Sequence, residues 1–77
     1  MSVAEQAKAV YESDYRSRLE SENFGDFVAI EPESREVFVA KSFIEAALKA
    51  KEAHPTRKSF VMRIGYDAAV HIGAATR

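Results

Sequence analysis

The sequence predicts a small α+β domain in which an N-terminal helix precedes a β-hairpin, a second helix and a second β-hairpin. Two stretches carry apolar residues three and four positions apart, and short runs rich in β-branched and aromatic residues alternate with turn-forming residues. We expect a four-stranded, mainly antiparallel sheet with helix packing against it. With 77 residues the chain forms one domain, 1–77, with the helix at about 3–19 and a ββαββ core at about 24–74.

The first helix is predicted from Val3 to Leu19. Apolar side chains recur on one side of it, at Val3, Ala7, Val10, Tyr11, Tyr15 and Leu19. Polar residues and Gly25 then end the periodic pattern. Because the apolar stripe is narrow and holds two tyrosines, we expect this helix to dock on another surface.

A hairpin is predicted over residues 27–40, where two β-rich runs flank the turn residues 32–35. A closing pair of Glu31 and Glu36 sets the register. The facing pairs are then Ile30–Val37 and Val28–Val39 on one side of the sheet, and Ala29–Phe38 and Phe27–Ala40 on the other. Since both faces are apolar, the hairpin is covered on both sides, by one helix of its own chain on each side or by a second protomer.

The second helix is predicted over about 43–53. Ser42 and Glu45 have the spacing of a capping box, and His54-Pro55 stops the helix because proline disfavours helical geometry in the residue before it. One face is marked by Ile44, Ala47, Leu48 and Lys51. Alanines at 46, 50 and 53 favour helix and allow close approach to a neighbour.

The second hairpin is predicted from the alternation of residues 60–64, the turn Gly65-Tyr66-Asp67 and a last strand from Ala69 to Gly73. An odd number of loop residues keeps the apolar side chains on one face. In that register Arg63 lies opposite His71.

The amino-acid composition limits the classes of protein to which the chain can belong. A chain with 47% hydrophobic and 30% charged residues is neither a disordered tail nor a membrane protein. The absence of cysteine excludes disulfide frameworks and thiolate chemistry. The first residues lack the pattern of a secretion signal, and no apolar run approaches the length of a membrane span, so we expect a cytoplasmic protein.

Charge is unevenly distributed along the chain. Residues 1–36 hold four basic and nine acidic groups and carry −5, whereas residues 37–77 hold seven basic and three acidic groups and carry +4. The two halves either neutralise each other in the fold or leave a basic face for an anionic partner.

Catalytic and metal chemistry find little support in the sequence. The two histidines, His54 and His71, have no ligand spacing, and the three glycines are isolated. Glu31, Glu33 and Glu36 cluster at a hairpin tip, where carboxylates are solvated. We therefore expect no enzyme, no cofactor and no metal site.

Two functions remain. The first is a non-catalytic protein-interaction module that forms a homodimer or binds a cognate protein, with Phe27, Phe38, Tyr11 and Tyr15 as the interface residues. The alternative is an antitoxin-like or regulatory nucleic-acid-binding protein that uses the basic residues Arg57, Lys58, Arg63 and His71. Phe27, Phe38, Val61, Arg63 and His71 share one predicted sheet face, which is either open for binding or covered by the N-terminal helix.

The segments 27–32, 53–55, 59–65 and 69–73 resemble a group of short bacterial proteins, common in cyanobacteria, that carry a domain of unknown function. The resemblance covers about Leu19 to Gly73. The chain differs from that group at Arg35, where a turn glycine is frequent. The resemblance implies no activity or cofactor, and a likeness to the small proteins of two-gene modules favours a protein partner.

Overall fold

The computed structural model describes residues 2–66, which form a sheet between two helices. Helix α1 spans residues 3–22 in three consecutive segments, α-helical Val3–Val10, π-helical Tyr11–Tyr15 and α-helical Arg16–Glu22. The remaining elements are strand β1, Phe27–Glu31, strand β2, Glu36–Ala40, helix α2, Phe43–Ala53, and strand β3, Phe60–Arg63. The α+β class is confirmed, and helix α2 has the predicted bounds.

The sheet has the strand order β2–β1–β3, and both pairings are antiparallel. All five predicted residue pairs between β1 and β2 are confirmed. Strand β3 pairs with the other edge of β1, with Phe27 opposite Arg63. Residues 2–66 thus show three strands and one hairpin where the sequence predicts four strands and two hairpins. The expected strand Ala69 to Gly73, and with it the Arg63–His71 pair, lies outside the described residues.

Each face of the sheet is covered by one helix of the same chain. Helix α1 packs on the face formed by Val28, Ile30, Met62 and Ile64. Helix α2 packs on the opposite face, where Ala46 and Ala50 meet Ala29 and Ala40. Both alternatives for the face that holds Phe27, Phe38 and Val61 are therefore wrong: it is neither open nor covered by the N-terminal helix, since these residues pack against the alanine cluster beneath α2. Small side chains on both layers let that helix approach the sheet closely.

The π-helical turn in α1 follows from the spacing of its apolar residues. Ala7, Tyr11, Tyr15 and Leu19 are each four positions apart. On an ideal α-helix, at about 100° per residue, that spacing drifts by about 120° between the first and the last of them. A π-helical turn accommodates one extra residue and reduces the drift to about 20°. The chain thereby keeps Tyr11 and Leu19, each 3% exposed, on the same side of the helix.

Both helices begin with a serine cap. At α1, the Ser2 hydroxyl accepts from the Glu5 amide and the Glu5 carboxylate accepts from the Ser2 amide, which completes a capping box. At α2, the Ser42 hydroxyl accepts from the Glu45 amide at 3.2 Å. Unlike Ser2 and Glu5, this pair forms only the half of the capping box in which the serine accepts.

Candidate functional site

The large apolar side chains that stay exposed in the described part of the chain lie on α2 and at the adjacent end of the sheet. They are Ile44 (68% exposed), Phe24 (62%), Leu48 (56%), Phe43 (55%) and Tyr66 (40%). Exposed apolar side chains that are neighbours on the surface are candidates for an interaction site. We call Ile44 and Leu48 the α2 stripe.

Helix α2 exposes the stripe because its alanines pack against the sheet. Ala46 is fully buried and Ala50 is 2% exposed. Ile44 and Leu48 are one turn apart on the side of the helix that faces away from the sheet. The face that the sequence marks with Ile44, Ala47, Leu48 and Lys51 is therefore directed mainly to solvent.

Next to the first turn of α2, five side chains form an aromatic cluster, defined here as Phe24, Phe27, Phe43, Arg63 and Tyr66. The rings of Phe27 and Phe43 meet edge to face with centroids 6.4 Å apart, and those of Phe24 and Tyr66 are 5.6 Å apart. The Arg63 guanidinium joins the two pairs, because it lies 5.5 Å from the Phe27 centroid and 4.5 Å from that of Tyr66. Cation–π contacts of this length hold the guanidinium in place.

Arg63 is exposed, and its Nε donates to the Gly25 carbonyl oxygen at 3.0 Å. Within residues 2–66 no carboxylate pairs with it. The terminal nitrogens of its guanidinium can therefore bind an anionic group that approaches from solvent.

Gly65 gives the cluster its shape. Its φ of +87° belongs to the left-handed region, where a side chain is strained. A Cβ atom at this position would lie 2.4 Å from the Phe24 ring. The glycine thus allows the Phe24 ring to lie directly over the backbone that follows β3.

The hairpin tip differs from the sequence expectation. Glu31 is 1% exposed, so its interpretation as a solvated turn carboxylate is wrong, while Glu33 and Glu36 are exposed as expected. The Glu31 side chain folds beneath its own turn and accepts from the amides of Glu33 at 3.0 Å and Ser34 at 2.8 Å. Burial alone would raise the pKa of Glu31, but these bonds and the Arg57 charge outweigh it and lower the pKa.

A cleft of about 350 Å³ adjoins this carboxylate, lined by residues that include Val3, Pro32, Thr56 and Lys58. Arg57 lies 3.4 Å from Glu31 and 3.1 Å from Glu33, measured between its Nη1 and a carboxylate oxygen of each. The two carboxylates offset the positive charge of Arg57. The charged groups of the cleft therefore stabilise the turn.

The predicted interface residues take different places. Tyr11 is 3% exposed, and its hydroxyl donates to Glu20 at 2.9 Å. Tyr15 is half-buried, and its hydroxyl donates to the Arg35 carbonyl oxygen. Phe27 and Phe38 are half-buried beneath α2. Of these four, Phe27 alone belongs to the aromatic cluster.

The predicted anion-binding residues are not brought together. Arg57 lies beside Glu31 at one end of β1, whereas Arg63 pairs with Phe27 at the other end. Lys58 follows Arg57, and His71 lies outside the described residues. His54 contacts the carboxylate of Glu36 and packs edge to face on Phe38. No cluster of metal-ligating side chains occurs within residues 2–66.

Comparison with protein-family models, curated proteins and solved structures gives no match. Over the described residues, neither helix combines the length and the apolarity that crossing a bilayer requires. Function must therefore be argued from the surface itself.

Proposed function

We propose that this protein is a non-catalytic protein-interaction module that self-associates through the α2 stripe and the aromatic cluster. The observation that carries the proposal is the exposure of Ile44 and Leu48 on a helix whose small residues face its own core. Removing these side chains from water favours association, and a second copy of the chain supplies a matching apolar surface.

The size of the chain supports the same conclusion. A domain of 77 residues buries a smaller share of its surface than larger domains do, so association adds stability where the core is small. The alanine layer between α2 and the sheet contributes little apolar volume per residue. A second protomer packed on the stripe would cover the solvent side of α2 and add apolar burial that the alanine layer does not provide.

The titratable groups support a role without catalysis. The buried carboxylate of Glu31 already accepts two backbone amides, and the adjoining Arg57 is paired with acidic side chains. An efficient general base has a pKa near the working pH, whereas the pKa of Glu31 is lowered from its already acidic ordinary value. Glu31 is instead part of the structure of its turn.

The four-stranded sheet belongs to this proposal as well. Strand β3 pairs with β1 on one side, and a strand formed by Ala69 to Gly73 would cover its other edge. Amide hydrogen exchange tests this point: protection of alternate amides in residues 69–73 supports the fourth strand, and full exchange within seconds rejects it.

Light scattering after size exclusion tests self-association. The wild type should be a dimer at tens of micromolar, and Ile44→Glu and Leu48→Glu should each yield a folded monomer, because a buried carboxylate opposes association. Ala9→Glu is the matched control, since Ala9 is exposed on α1. A monomeric wild type, or a dimer unchanged by both stripe variants, would contradict the proposal.

The basic residues expected to bind nucleic acid do not form one surface, because Arg57 is paired with carboxylates and lies apart from Arg63. Fluorescence anisotropy with single- and double-stranded oligonucleotides at low salt checks this alternative. Binding that weakens steeply with salt and is lost in Arg63→Ala would favour it over the interaction module.

A further inference from the structure

We infer that Lys49 closes the free edge of the sheet and prevents a strand of another molecule from pairing with β2. Its ammonium group occupies a backbone acceptor that an added strand would need. This edge belongs to β2 and is separate from the α2 stripe, so the inference goes beyond the proposed self-association.

Strand β2 lies at an edge of the sheet. In the order β2–β1–β3 it pairs, among residues 2–66, with β1 alone. An unpaired edge presents backbone amides and carbonyls to which a strand of another chain can add. A fourth strand would lie beside β3, so it would leave the free edge of β2 unchanged.

The strand pairing identifies the groups of β2 that face the free edge. The Ile64 amide donates to the Asp26 carbonyl oxygen at 2.7 Å, so Asp26, just before β1, directs its carbonyl towards β3. Because these directions alternate along the chain, the odd-numbered residues of β1 direct their backbone groups towards β2. Their partners are the even-numbered residues of β2, which leaves the amides and carbonyls of Val37 and Val39 facing outward.

Lys49 covers one of these outward groups. Its Nζ donates to the Val39 carbonyl oxygen at 2.9 Å, across the space between α2 and β2. The contact agrees with the register, since a carbonyl inside the ladder would accept from a β1 amide instead. Lys49 is exposed, and its charged end therefore stays hydrated at the edge.

An added strand would have to displace this ammonium group. An amide of the incoming strand would need the Val39 carbonyl oxygen, and Lys49 would lose that acceptor together with part of its hydration. Without displacement, pairing is limited to the outward backbone groups of Val37. A ladder of one residue is shorter than the strands found in globular sheets.

Closure of this edge matters for a protein that self-associates. A dimer formed through the α2 stripe by two-fold symmetry is closed, whereas strand addition at β2 would let each dimer bind further copies. Repeated addition at sheet edges leads to aggregation. Lys49 therefore confines association to the α2 stripe.

Substitution of Lys49 tests the inference in the Ile44→Glu protein, so that association through the stripe does not contribute. Lys49→Met keeps the unbranched side chain but loses both the charge and the donor. We expect the mean mass in equilibrium sedimentation to rise above that of the parent protein, towards twice its value, as the concentration is raised. The outward amides of Val37 and Val39 should then exchange more slowly with solvent.

Two variants of the same Ile44→Glu protein serve as matched controls. Lys51→Met makes the same chemical change on the solvent-facing side of the same helix, and Lys49→Arg keeps a charged donor beside the edge. Both should sediment as the parent protein does. Circular dichroism verifies that each variant folds.

Two results would overturn the inference. In the first, Lys49→Met sediments as Lys51→Met does. In the second, Lys49→Met associates while the amides of Val37 and Val39 exchange as fast as before, which would place the contact on another surface. Neither result depends on whether the wild type forms a dimer, because every comparison is made between variants of the Ile44→Glu protein.

Discussion

The guanidinium of Arg35 binds the carboxylate of Asp14, with Nε at 3.0 Å and Nη2 at 2.8 Å from Oδ2. This contact joins the hairpin turn to the π-helical segment of α1. Tyr15 adds a second link, since its hydroxyl donates to the Arg35 carbonyl oxygen at 2.7 Å. Arg35 has a φ of 63°, which is strained for a residue with a side chain. The contacts with α1 offset that strain and fix how the helix sits on the sheet.

Two substitutions of Arg35 distinguish the stabilisation from its contact with Asp14 from the cost of its strained backbone. Arg35→Ala loses the bonds to Asp14 and keeps the strained backbone, whereas Arg35→Gly loses the same bonds and relieves the strain. We expect Arg35→Gly to be the more stable of the two variants by about 1 kcal/mol. Urea unfolding of both proteins measures the difference, and an Arg35→Ala variant at least as stable as Arg35→Gly would contradict this explanation of the turn.

Features that depend on residues close together along the chain were predictable from the sequence. The register of β1 and β2 followed from two apolar runs and a four-residue turn, because any shift by one position would have moved every side chain to the opposite face. The bounds of α2 followed from its serine cap and the proline after His54. In both cases the decisive interactions lie within a few residues along the chain.

Features set by packing between distant segments were not predictable in the same way. The pattern of α2 allowed either the alanine face or the Ile44–Leu48 face to meet the sheet, and the choice depends on Ala29 and Ala40 in two other elements. Burial of Glu31 depends on a turn whose shape is supported by Asp14, far away along the chain. The π-helical turn did leave a signal, the repeated four-residue spacing from Ala7 to Leu19.

Acid sensitivity should depend on Glu31. Its pKa is lowered from the ordinary 4.5 in the folded chain, so the unfolded state binds its proton first as the pH falls. The stabilisation from Glu31 is fully present above about pH 4.5 and is lost as the pH drops through the lowered folded-state pKa. Glu31→Gln should reduce the free energy of unfolding by about 1–3 kcal/mol at neutral pH and flatten the acid decline.

Chemical unfolding at a series of pH values from 7 to 3 measures how the free energy of unfolding of each variant declines with acid. Glu33→Gln is the matched control, because the Glu33 side chain is 69% exposed. Glu33→Gln should lose stability with acid as steeply as the wild type does. The explanation fails if Glu31→Gln does so as well.

Alkaline sensitivity should depend on Tyr11. Burial, together with the hydrogen bond to Glu20, raises the pKa of Tyr11 from 10.0 to about 12. The unfolded state therefore releases the phenol proton first, and the free energy of unfolding falls as the pH rises from about 10 to about 12. Tyr11→Phe should cost about 1 kcal/mol at neutral pH and lose less stability over that range than the wild type. Parallel curves for the two proteins above pH 10 would refute this.

Engineered cysteines test self-association through the α2 stripe. The chain has no cysteine, so each single variant carries one thiol. If the stripe is the interface, Ile44 and Leu48 lie close to the same two positions of the partner, and we expect a disulfide-linked dimer of Ile44→Cys, of Leu48→Cys or of their mixture on mild oxidation. Ala9→Cys, exposed on α1, should stay monomeric on a non-reducing gel. If none of the three stripe samples forms a linked dimer, the stripe is not the interface.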